Sequence, residues 1–64
     1  MHTSALDKYR DACVHLGRMQ ERALTLADSN GASCAQLSAA RQQLEDAGNA
    51  VILARVEIAI SRLF

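Results

Sequence analysis

The side chains able to do chemistry are few, and most sit close together: Asp11, Cys13, His15 and Met19. On a helix, Asp11, His15 and Met19 share a face at i, i+4 and i+8, where the carboxylate could orient the imidazole. Carboxylate, imidazole and thioether form no recognised metal-ligand set, however. Cys13 lies two residues from His15 and therefore on another side of the helix, so thiol and base do not pair. The sequence holds no glycine-rich phosphate loop and no paired-cysteine metal signature. Nor does it place a serine nucleophile between a strand and a helix. A pocket and an oxyanion site are equally lacking in such a constellation. The expectation is a non-enzyme with no catalytic residue, no metal, no cofactor and no small-molecule substrate.

What must hold these residues is helical. Ser4-Ala5-Leu6-Asp7 resembles a capping box with aspartate in the third place, and Ser33-Cys34-Ala35-Gln36 has the serine-to-glutamine form. Between them, Asp28-Ser29-Asn30-Gly31-Ala32 is a cluster of turn formers, with Gly31 placed for the left-handed conformation that closes a helix. The spacing predicts a helix over about 4–29, a turn over about 30–32 and a second helix over about 33–62, with a kink or break at Gly48 as the main departure. So short a connection makes the helices antiparallel. The fold class is all-α: a two-helix, coiled-coil-like hairpin forming one domain over residues 1–64.

Each helix carries a seam. Ala5, Tyr9, Ala12, Leu16, Met19, Ala23 and Leu26 alternate steps of 4 and 3, and Leu37, Ala40, Leu44, Ala47, Val51, Ala54 and Ile58 repeat the pattern. Tyr9, Leu16, Met19, Leu37, Leu44, Val51 and Ile58 are the expected intrachain core. Leu6, Cys13 and Ala27 widen the first seam on one flank. Ala12, Gly17 and Ala23 are small enough to admit another helix closely.

Twelve of the 32 apolar residues are alanine, so a 64-residue chain has little volume to fill a core. Chains this small need a disulfide, a metal or a partner. Met1-His2-Thr3-Ser4 shows no signal peptide, so reduced thiols and a cytoplasmic location are expected. In a hairpin turning near Gly31, Cys13 lies about 25 Å along the axis from the turn, whereas Cys34 sits beside it. A disulfide needs Cα atoms within roughly 7 Å. A partner chain is the remaining staple.

The second helix changes character after residue 50. Ser38, Gln42, Gln43, Glu45 and Asp46 occupy outer positions before it; afterwards they hold Ile52, Leu53, Val56, Ala59, Ile60 and Leu63. Three charges in the last fifteen residues exclude a membrane span. Val56-Glu57-Ile58-Ala59-Ile60 alternates as a strand would, but a lone strand has nothing to pair with inside this chain. Helix is therefore favoured. A helix apolar nearly all round must be covered on several sides, and one antiparallel neighbour covers only one.

That surplus points to another protein. A second copy would give a two-fold four-helix bundle, and a different protein could lie on the 52–63 surface. Ile52, Leu53, Val56, Ile60, Leu63 and Phe64 are the expected partner-binding residues. Arg41, Arg55 and Arg62 share one heptad position and form a polar rim, or else simply flank the seam, with Glu45 one turn from Arg41. The resulting expectation is a small interaction module, an inhibitor, anti-activator or adaptor, with a homodimer and a protein partner.

In length and architecture the chain resembles the plasmid-encoded Rop-type hairpins, a likeness that implies dimeric RNA binding. Its zero net charge and lack of any basic run argue against nucleic acid. In its helix-turn-helix with an apolar second helix it also resembles the small hairpin co-chaperones of type III secretion. That resemblance implies the holding of an aggregation-prone subunit. No diagnostic motif carries either likeness.

Overall fold

Two serine caps delimit the helices. In the computed structural model, which describes residues 4–63, the hydroxyl of Ser4 accepts from the backbone N–H of Asp7 at 3.1 Å, and α1 runs Ala5–Asp28. Asp7 also sets a negative charge in the first turn, where it opposes the positive end of the helix dipole. Ser33 and Gln36 form the full reciprocal box at the head of α2, Cys34–Leu63. The Gln36 N–H donates to Ser33 Oγ at 3.1 Å, and the Ser33 N–H donates to Gln36 Oε1 at 2.8 Å. Arg62 stands in the last turn of α2, at the negative end of its dipole.

The turn differs from the glycine-closed exit that the sequence suggests. Ser29 ends α1 in an extended conformation, φ −82° and ψ 127°, and its N–H returns to the carbonyl of Leu26 at 3.1 Å. The Ser29 hydroxyl then accepts from the N–H of Gly31 at 3.4 Å. With the chain already leaving the helix at Ser29, Gly31 needs no positive φ, and no described glycine has one. Residues 50–60 are helix, not strand, and α2 continues through Gly48 without interruption.

The two helices lie antiparallel along a rod of 50 × 17 × 17 Å. Lys8 meets Glu57 across them at 3.9 Å, Tyr9 lies beside Ile58, Ala23 beside Leu44 and Leu26 beside Ala40. The contact line is the seam read from the sequence. Ala5, Tyr9, Ala12, Leu16, Met19, Ala23 and Leu26 are half-buried, facing Leu44, Val51 and Ile58, also half-buried. Among the described residues, only Ala40, Ala47 and Ala54 are fully buried. Leu37 departs from its expected core role, being 41% exposed. It lies in the first turn of α2, level with the last residue of α1 in the Lys8–Glu57 register.

The helices are unlike in pattern. α1 is clearly amphipathic, whereas α2 spreads apolar side chains around its whole circumference. No helix among the described residues is long and apolar enough to cross a membrane.

Candidate interaction surfaces

At roughly 100° per residue, the side of α2 opposite its seam is a second register running through Gln42, Asp46, Asn49, Leu53, Val56, Ile60 and Leu63 in steps of 4 and 3. The register divides sharply. Its first half is polar and partly satisfied within the helix, since the Gln42 amide donates to the Asp46 carboxylate at 3.0 Å. Its second half is aliphatic and uncovered: Leu53 is 65% exposed, Val56 48%, Ile60 49% and Leu63 80%. Ile52, 62% exposed, lies one turn before Val56 and broadens the patch. The structure thus brings five of the six expected contact residues onto one outward face. Phe64 lies outside the described residues.

The three arginines sit elsewhere. They follow the line 41, 48, 55, 62, between the seam and the outward face, with Gly48 in the gap. Arg41 pairs with Glu45 one turn away at 3.2 Å, and both side chains are more than half exposed. Such a pair contributes about 0.3–0.5 kcal/mol at most. Arg55 and Arg62 border a shallow groove of about 330 Å³ between the helices, which Leu6, Tyr9, Ile58 and Ala59 also line.

That groove marks one of the two open sides of the hairpin, and the sides are not alike. On one, spacings of seven align Lys8, His15 and Arg22 on α1 with Gln36, Gln43, Ala50 and Glu57 on α2. Lys8–Glu57 bridges this side, and Arg22, Gln36 and Gln43 line its far end together with Leu26, Ala39 and Ala40. On the other, Leu6 borders Arg55 and Ala59, while Leu24 and Ala27 border Leu44 around a second groove of about 460 Å³. Spacing places Cys13, Gly17 and Gly48 on this same side: Gly17 is seven residues from Leu24, and Gly48 is four from Leu44. Leu6 and Leu24 are well exposed.

The thiols of Cys13 and Cys34 are both free and exposed, and Cys13 lies about 22 Å of helix from the end of α1. Asp11 and His15 are exposed on α1. No described group of three or more His, Cys, Asp or Glu side chains converges as a metal site would require. Every buried side-chain polar atom described has a hydrogen-bond partner, so no orphan group points to a missing ligand.

Sequence reasoning located the outward face of α2 but not the division between the two open sides. Its trace was there, in Leu6, Cys13 and Ala27 as a flank of the first seam. Reading the flank needed the antiparallel register, which shows what stands across from it. No family model, no curated protein and no solved structure matches this chain.

Proposed function

We propose that this protein is a non-enzymatic interaction module. It is a homodimer of hairpins, forming a four-helix bundle, that binds a target protein through the outward face of the second half of α2. It acts by occlusion, covering a complementary apolar surface as an inhibitor, anti-activator or adaptor does. The observation that carries this reading is the run Leu53, Val56, Ile60 and Leu63, together with Ile52, exposed along one face at heptad spacing. Side chains of this size each lose about 1.5–3 kcal/mol of favourable transfer by remaining wet. Together they make a patch that monomeric proteins seldom leave open.

Heptad spacing also says what kind of surface would fit. Knobs at steps of 3 and 4 insert between side chains of another helix. A helical segment of the target is therefore the natural ligand, and an aggregation-prone helical subunit held by a co-chaperone is the second form of the same reading.

The test compares the wild-type chain with a Val56→Ser/Ile60→Ser variant in quantitative affinity purification from the native cell. Both positions are outside the intrachain seam, so helix content by circular dichroism should be retained. The expected outcome is that the proteins enriched by the wild type are lost from the variant. Equal enrichment rejects the face. A variant that loses its own dimer instead reassigns these residues to self-association.

A further inference from the structure

We infer that a second copy of this chain packs on the open side of the hairpin that carries Leu6 and Leu24, crossing it at Gly17 and Gly48, and leaves the outward face of α2 free. This rests on the self-association part of the reading above and specifies which surface serves it.

The first argument is area. A folded monomer of 6.9 kDa exposes about 4,000 Å² by the scaling of globular proteins, whereas this hairpin exposes 5265 Å². The excess of more than about 1,000 Å² belongs to the rod as a whole, the outward face of α2 included, and is large enough to supply the roughly 800 Å² that one partner contributes to a specific interface. Among the described residues, no side chain larger than alanine is fully buried. A chain that lacks a core of its own needs a partner that is present whenever it is made, and another copy of itself meets that condition.

The glycines say where. Gly17 and Gly48 stand at the middle of α1 and α2, and the Lys8–Glu57 register places them level with each other. Glycine inside a helix is unfavourable, so it is expected where a backbone must be approached closely. The hairpin itself does not require either: a Cβ built on Gly17 or Gly48 meets nothing within 4 Å. Packing inside the hairpin therefore does not account for them, and both positions are open to an approach from outside. Midway along both helices is also where two rods of equal length cross when they overlap fully about a two-fold axis. Leu6 and Leu24 lie above and below that point on α1, exposed on the same side, and would be covered by the second copy.

Sedimentation velocity on the full chain and three variants tests this. The wild type should sediment as a dimer at micromolar concentration. Leu6→Glu/Leu24→Glu should sediment as a monomer or unfold, while Leu53→Glu/Ile60→Glu should remain dimeric. Because a monomer produced by the charged variant can unfold, Gly17→Ala/Gly48→Ala provides the decisive variant. It raises helix propensity, yet it should weaken dimerisation at least about tenfold, since added methyl groups crowd the crossing. Unchanged or tighter association in the glycine variant overturns the inference. So does dissociation caused by Leu53→Glu/Ile60→Glu, which would leave self-association standing but move it to the other face. A folded wild-type monomer overturns both self-association and its placement, without touching target binding by α2.

Discussion

The two open sides of the hairpin share one seam and differ in almost everything else. At mid-length one side carries His15 and Ala50, both exposed, while the other carries Gly17 and Gly48, both half-buried. One side is bridged by Lys8 and Glu57 and edged by Gln36, Ala39 and Gln43; the other is edged by Leu6, Leu24 and Leu44, with Arg55 and Arg62 at one end and Gln20 toward the other. The first side offers water charged and amide side chains along most of its length. On the second, aliphatic side chains stand beside two bare stretches of helix backbone, an arrangement that water does not reward. The difference teaches that amphipathicity in a two-helix protein is a property of the pair. Each helix has its own seam, but only their flanks, set side by side, decide which direction the hairpin faces.

The contrast can be broken most severely at the seam itself. Ala47 is 2% exposed, and Ala47→Leu forces extra carbons between the helices. It should cost about 1–3 kcal/mol in thermal unfolding followed by circular dichroism. A variant as stable as the wild type would show that the sides are not separated by close packing. A smaller effect is expected from Ala50→Gly, which puts on the polar side what the apolar side already has. With no approaching chain to benefit, it should lose about 0.5–1 kcal/mol from helix propensity alone. Set against Gly48→Ala, it distinguishes a glycine that serves an approach from one that merely weakens a helix. The smallest effect belongs to Glu57→Gln. Both members of the Lys8–Glu57 pair are more than half exposed, so the loss should be no more than about 0.5 kcal/mol and should vanish in high salt. A large, salt-insensitive loss would make the polar side structural.

Much of the fold was legible residue by residue. The Ser33 and Gln36 box forms both of its expected hydrogen bonds, and the stripe from Ala5 to Leu26 is half-buried at every position. Local chemistry decides such features, so a sequence states them directly. The exposure of Leu37 was not legible. Its spacing fits the seam, but whether a neighbour reaches it depends on where α1 ends in space. The level of Gly17 with Gly48 was hidden for a related reason. A heptad seam looks the same after a slip of seven residues, and only the path of the turn from Ser29 to Ser33 fixes the register. The outward patch from Ile52 to Leu63 could be read from composition, but its polar upstream half gains meaning only once both are seen on a single line along α2.

Among the described residues, the side chains fully sealed from water are three methyl groups, those of Ala40, Ala47 and Ala54. At about 0.8 kcal/mol per buried carbon, they offset the ordering of only a residue or two. With the second copy proposed above, folding becomes a matter of supply. Diluted below its dissociation constant the chain opens and meets proteases, and above that concentration it persists. Such a protein would keep count of itself: its folded amount would rise more steeply than its synthesis, and with it the surface offered to the proposed target.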